Sequence, residues 1–168
     1  MNDNIINEAK RIEEDSTYSA KGHFYASQCW ADTQLWLGVV ASVLSAIAGT
    51  SVLAKYDNYS LIGGVLSLIV VTLTAVLTFI NPNQRSNEHL SAGNKYNSLK
   101  NDARIFHSIK ALECDDVTAT KLLEKLNERR NKLNQGSPQI PKWAFEKARK
   151  GIENGESKYL VDKENEQQ

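Results

Sequence analysis

The chain has 168 residues, and its 20 basic residues balance its 20 acidic residues, so that its formal net charge is zero. This balance argues against a general nucleic-acid-binding protein, which would show a basic face, and the length suffices for one small domain beside a membrane segment. Two isolated cysteines, Cys29 and Cys114, form neither a disulfide framework nor a zinc motif, and they are typical of a reduced, cytosolic setting.

Residues 1–34 are predicted to form an N-terminal cytoplasmic helix. Side chains recur there at alternating four- and three-residue spacing, which places them on one stripe of a helix. The stripe is apolar at its start and more polar towards its end, so this helix needs a partner. Its members are Ile5, Ala9, Ile12, Ser16, Ser19, His23, Ala26 and Trp30.

Two apolar runs without a charged residue follow, at 35–54 and 61–80. Each has about 20 residues, which as a helix span roughly 30 Å, the thickness of the hydrocarbon core of a bilayer. Because the break between them is short, the two helices run antiparallel and place both termini on one side. The alternative is a buried hairpin in a soluble protein, but the flanking segments carry too little apolar surface to enclose both runs.

Small residues recur within the predicted hairpin. Ala41, Ser45 and Gly49 follow one another at four-residue spacing, and Gly63 and Gly64 lie in the second run. Small side chains let the backbones of membrane helices approach closely. These five are therefore predicted helix-packing residues, used either between the two spans or between copies in a homo-oligomer.

Three hydroxyl residues, Ser67, Thr74 and Thr78, lie on one side of the second span. Hydroxyls in membrane helices commonly bond to a backbone carbonyl one turn back. The alternative is that an oligomer turns this face towards water, which makes the three residues candidates for lining a pore. Neither span contains an ionisable residue, so a proton relay is not expected.

Residues 81–160 are predicted to form cytoplasmic helices that pack on the N-terminal helix, and residues 161–168 are predicted to be a disordered tail. The dipeptide Asn81-Pro82 ends the second span, because the residue before a proline is pushed out of the helical region. A second stripe then repeats with coiled-coil spacing and can pair with the first. Its members are Ala92, Tyr96, Leu99, Ala103 and Phe106.

The orientation follows from the distribution of basic residues. Lysines and arginines flank the terminal ends of the two spans, whereas the connecting turn has Lys55 alone, offset by Asp57. The positive-inside rule then places both termini in the cytoplasm. The predicted fold is all-α: a membrane hairpin whose two helices extend into a cytoplasmic helical bundle.

Enzymatic chemistry finds no support in the sequence. It has no glycine-rich phosphate loop, no nucleophile motif and no metal-ligand cluster, and its three histidines lack metal-binding spacing. We therefore expect no catalytic residue, no metal site, no cofactor and no direct binding of nucleic acid.

After the two apolar runs comes the stretch Asn-Pro-Asn-Gln-Arg-Ser-Asn-Glu-His at residues 81–89, and Leu99 and a block at residues 140–148 follow later. Together these features resemble the SLATT domain family, and the resemblance covers nearly the whole chain. The family-motif residues are Pro82, Arg85, His89, Gly93, Tyr96 and Arg104.

The resemblance implies a multi-pass protein of a bacterial inner membrane that acts as an oligomeric, pore-forming effector in an anti-phage or conflict system. It also implies a partner nucleotidyltransferase or reverse transcriptase, so that the partner or its nucleotide product gives the signal at the cytoplasmic helices. A non-conducting membrane anchor or scaffold that recruits a cytosolic enzyme is the alternative, and a membrane-embedded sensor is a third.

Each motif residue also has a physical interpretation. Arg85 can pair with a lipid phosphate or cap the carbonyl groups of a neighbouring helix. His89 is expected to be a packed or hydrogen-bonded residue in preference to a pH sensor. Gly93 indicates the close approach of another helix, and Tyr96 and Arg104 are predicted to bridge helices.

Overall fold

The computed structural model describes residues 3–53 and 57–159, and in these ranges every regular element is a helix. The predicted all-α class with two long apolar helices is confirmed, whereas the predicted tail at 161–168 lies outside the described residues. The helices are α1 (Asp3–Leu53), α2 (Asp57–Ile80), α3 (Pro82–Ile105), a π-helical turn (Phe106–Lys110), α4 (Ala111–Glu113), α5 (Asp116–Gly136) and α6 (Lys142–Glu153).

The chain divides into two compact units. The first, which we call the hairpin unit, is Gln28–Ser86. The second, which we call the bundle, combines Met1–Ser27 with Asn87–Gln168. Helix α1 contributes to both units. Residues 28–34 and 81–86 belong to the hairpin unit, and the predicted domain boundaries at the membrane stay predictions.

In the hairpin unit, the residues that are buried or half-buried form one row on each apolar helix. Large apolar side chains off these rows are exposed, such as Leu68 at 70 % and Phe79 at 92 %. Only 6 % of the most apolar window of either helix is buried, whereas a core helix of a soluble protein would be mostly buried. Both helices are long and apolar enough to cross a membrane, and such surfaces are stable in lipid. The rows are Ala41, Leu44, Ala48 and Ser51 on α1, and Gly63, Leu66, Val70, Leu73 and Leu77 on α2.

The bundle is built around the two predicted stripes. Helices α1 and α3 face each other through buried residues, and α5 covers them with half-buried leucines. One cluster joins Ile12, Leu99 and Ala103, which are all completely buried. The second cluster joins Ile5, Ala9, Phe106, Ala111 and Ala119.

Local sequence explains where several helices begin and end. Asn81 separates α2 from α3 with φ 46°, a left-handed conformation that asparagine adopts more readily than most residues. Asp115 caps α5, because its carboxylate accepts a hydrogen bond from the Thr118 N–H at 3.4 Å. The π-helical turn at Phe106–Lys110 has no signal in the sequence.

Helix α6 packs on the bundle through small residues. The two large aromatic residues of this helix, Trp143 and Phe145, are 46 % and 42 % exposed. Buried instead are Ala144, Ala148 and Gly151, whose spacing forms one narrow stripe. The two aromatic residues flank this stripe, because the small side chains let the α6 backbone approach too closely for a large ring between the helices.

Candidate functional site

The three hydroxyl residues of α2 are exposed on the hairpin unit. Each hydroxyl donates to the carbonyl oxygen one turn back: Ser67 to Gly63 at 2.8 Å, Thr74 to Val70 at 2.9 Å, and Thr78 to Thr74 at 2.9 Å. This bond satisfies the only proton of each hydroxyl, as expected in lipid. The oxygen atoms remain acceptors on the outer surface of the hairpin.

The predicted helix-packing residues divide between the inside and the outside of the hairpin. Gly63 is buried and Ala41 is half-buried, so both lie in or beside the seam between α1 and α2. Ser45, Gly49 and Gly64 are exposed. A Cβ atom added at Gly49 or Gly64 would meet no heavy atom of the described residues within 4 Å. The described part of a single chain therefore leaves these three small residues uncovered.

Arg85 lies at the break between α2 and α3, within the hairpin unit. Its Nε–H donates to the Ile80 carbonyl oxygen at 2.9 Å, and its guanidinium carbon lies 5.2 Å from the ring centre of Trp30. The last carbonyls of a helix lack intrahelical partners. Arg85 therefore caps the C-terminal end of α2 while it stacks on the tryptophan, and Pro82 is buried beside it.

His89 forms a pair with His23 in the interior of the bundle. Their Nδ1 atoms are 2.9 Å apart, and the two side chains are buried. One ring must donate its Nδ1–H while the other accepts it. Tyr96 stacks on His23 at a centroid distance of 5.5 Å and donates its hydroxyl proton to Asn134 Oδ1 at 2.7 Å. The motif residues His89 and Tyr96 thus connect α1, α3 and α5.

Burial shifts both titratable neighbours towards their neutral forms. Burial, together with the nearby His89, lowers the pKa of His23 to about 4. Burial also raises the pKa of Tyr96 above its usual value, against a hydrogen bond with Ser137 that lowers it. His23 and Tyr96 are therefore packed in their neutral forms at neutral pH.

Acidification should weaken the bundle through His23. Between about pH 6.5 and pH 4 the unfolded state binds more protons than the native state, so the free energy of unfolding decreases as the pH falls. We expect a loss of about 2 kcal/mol between about pH 7.5 and pH 5. Urea unfolding of the protein in nanodiscs, followed by far-UV circular dichroism, measures this loss.

His23→Asn and His107→Gln distinguish the source of the effect, because His107 pairs with Glu13 at 2.7 Å elsewhere in the bundle. His23→Asn should remove most of the pH dependence of the free energy of unfolding. In His107→Gln, the pH dependence that comes from His23 should be unchanged. Equal pH dependence in the wild-type protein and His23→Asn would contradict this assignment.

Gly93 lies where α3 approaches the ring of Phe24. A Cβ atom at this position would be 2.8 Å from Cδ1 and Cε1 of that ring. The guanidinium carbon of Arg104 lies 4.6 Å from the ring centre of Tyr159, and among the described residues its buried Nε has no hydrogen-bond partner. Lys100 approaches the same ring at 5.0 Å. Tyr159 was not identified from the sequence, because it follows the last helix, where no periodic pattern marks a packed residue.

In residues 3–53 and 57–159, no group of three His, Cys, Asp or Glu side chains is placed to hold a metal ion.

A family model described as SMODS and SLOG-associating 2TM effector domain family 4 matches residues 7–164. Searches of curated proteins and of solved structures found no match.

Proposed function

The chain belongs to the SLATT family of two-transmembrane effector domains and is a membrane effector of conflict systems, and from this premise we propose that it forms an oligomeric pore in anti-phage defence. Several hairpins associate in the bacterial inner membrane. A partner protein or a nucleotide signals to the bundle, the packing of the hairpins changes, and ions cross the membrane. The resulting loss of the membrane potential stops the infected cell.

The observation that supports this proposal is a hairpin face that carries small residues and hydroxyls but few large side chains. Each residue of a helix turns by about 100°, so Ser45 and Gly49 lie to one side of the buried row of α1. Thr74 and Thr78 lie to the corresponding side of the buried row of α2. Because the helices run antiparallel, both sets reach the same face of the hairpin, while Val43 lies on the opposite side of α1.

Such a face suits contacts between copies better than contact with lipid. Exposed small residues give lipid little surface, but they let a neighbouring helix approach closely. The acceptor oxygens of Ser67, Thr74 and Thr78 can line a path for water and cations once several hairpins surround it. Large apolar side chains elsewhere on the hairpin supply the lipid-facing surface.

We also propose that both termini, and with them the bundle, lie in the cytoplasm. Support comes from the basic residues beside the terminal ends of the spans and from the single lysine of the connecting turn. A cytoplasmic bundle is accessible to a partner nucleotidyltransferase or reverse transcriptase and to a nucleotide that such a partner makes.

Removing the hydroxyls tests whether this face lines a pore. In the triple variant Ser67→Ala, Thr74→Val, Thr78→Val, we expect ion flux through proteoliposomes to fall about tenfold or more, because an apolar constriction loses its water. The matched control is Thr72→Val, whose hydroxyl bonds to the Leu68 carbonyl in the same way at 2.9 Å but faces away from the other three. Flux measured with a potassium-sensitive dye should be unchanged in this control.

The same variants discriminate the alternative of a non-conducting scaffold. A scaffold would recruit its partner enzyme equally well with or without the hydroxyls, and its vesicles would not leak. Wild-type flux in the triple variant would count against a pore lined by α2.

A further inference from the structure

A cavity of about 510 Å³ opens on the bundle between α1, α3, α5 and α6. This volume lies within the range of pockets that hold small molecules in proteins. All of its lining residues belong to the bundle. The paired histidines are not among its lining residues, although Tyr96 contacts His23 and also lines the cavity.

One wall of the cavity is aromatic. The rings of Tyr18 and Phe145 lie 6.2 Å apart at an angle of 33°. Phe145 leaves 42 % of its surface exposed, although it follows the buried Ala144 on α6. An exposed ring beside a tyrosine offers a stacking surface for a planar ligand.

The polar groups of the cavity include a hydroxyl that lacks a partner. Ser16 is 1 % exposed, and its Oγ makes no hydrogen bond in the described part of the chain. A buried polar group without a partner destabilises the empty protein. Tyr96 and Asn134, hydrogen-bonded to each other, lie in the same lining. A ligand whose ring carries hydrogen-bonding groups at its edge would supply the hydrogen-bond partner that the Ser16 hydroxyl lacks.

The charges of the lining are balanced, because it contains Glu14 and Asp15 as well as Arg130 and Arg149. Arg130 pairs with Asp15 at 3.2 Å, whereas Arg149 lies 3.8 Å from Glu153 in an exposed pair. An exposed pair contributes little to stability, so a ligand can replace the contact of Arg149. A guanidinium group binds a carboxylate or phosphate through two parallel hydrogen bonds, and Glu14 can accept N–H groups.

We propose that this cavity binds a small ligand with a planar ring, one acidic group and N–H donors. The ring stacks on Phe145 and Tyr18, the acidic group binds Arg149, and the N–H donors face Glu14 and Ser16. Nucleotides and aromatic amino acids share this chemistry. The proposal rests on the proposed function in one respect, because ligand binding here would be the signal that reaches the bundle.

Calorimetric titration of the full chain in nanodiscs tests the site without any measurement of ion flux. The probes are AMP and GMP for the nucleotide source, and tryptophan and tyrosine for the amino-acid source. At least one pair should bind, and Phe145→Leu and Arg149→Gln should each weaken that binding about tenfold, since each removes one of the two main contacts.

Two substitutions outside the cavity serve as matched controls. Trp143→Leu removes an aromatic ring of similar exposure on the same helix as Phe145. Arg11→Gln removes an exposed arginine that, like Arg149, pairs with a carboxylate on its own helix. Both controls should bind the probe within about twofold of the wild-type protein.

Ser16→Ala provides a further readout. It should stabilise the empty bundle, because it removes an unsatisfied buried hydroxyl, and yet weaken binding of the probe. No binding of any of the four probes at about 1 mM, or equal binding in Phe145→Leu, Arg149→Gln and the controls, would overturn the proposal. If the protein binds a probe but never conducts ions, the proposed pore is contradicted and the proposed binding site is retained.

Discussion

Replacing Gly49 with leucine is expected to weaken self-association and reduce ion flux while the hairpin still folds. Gly49 is exposed, and a Cβ atom there would meet no heavy atom of the described part of the chain within 4 Å, so that a larger side chain is accommodated. A neighbouring helix that packs on this face would be pushed away by the new isobutyl group. We expect the association constant to fall about tenfold or more, the equivalent of about 1.4 kcal/mol per interface.

Cross-linking in nanodiscs and dye-monitored ion flux measure the two effects of Gly49→Leu. Gly64→Leu should behave in the same way, because Gly64 is also exposed on this side of the hairpin. Val43→Leu is the matched control, since Val43 is 53 % exposed on the opposite side of α1. Unchanged oligomers in Gly49→Leu and Gly64→Leu would show that copies meet through another surface.

Truncating Leu99 to alanine is expected to destabilise the bundle by about 2 to 5 kcal/mol. Leu99 is completely buried between α1 and α5, where it forms a cluster with Ile12 and Ala103. The loss combines the transfer of the deleted methyl groups with the cavity that they leave. Urea unfolding followed by circular dichroism measures the change in the free energy of unfolding.

Ile109→Ala is the control for Leu99→Ala, because Ile109 is 52 % exposed on the same stretch of chain. Its effect should stay within about 0.5 kcal/mol. If the two variants unfolded at the same urea concentration, the stripe of α3 would not be the core of the bundle.

Hydrophobic pattern alone predicted the helices and most of their buried faces. Lipid and protein interiors both select apolar side chains, and the period of a helix fixes which of these share a face. The stripes that begin at Ile5 and Ala92 could therefore be predicted from the sequence. The end of α2 is visible as well, because Asn81-Pro82 acts through local backbone geometry.

Contacts between distant polar side chains could not be predicted. His23 appeared in the sequence as one member of a stripe, and no local rule matches it with His89. The stacking of Arg85 on Trp30 and the position of Tyr159 also depend on tertiary packing. Exposure had to be seen in the structure before Gly49 and Gly63 could be assigned to different surfaces.

The most direct test of the account is potassium flux through proteoliposomes at increasing protein density, with cross-linking of the same vesicles. A pore built from several hairpins predicts flux that rises more steeply than the amount of protein, since oligomers accumulate by mass action. Vesicles that contain cross-linked oligomers and yet retain potassium as well as empty vesicles do would contradict it.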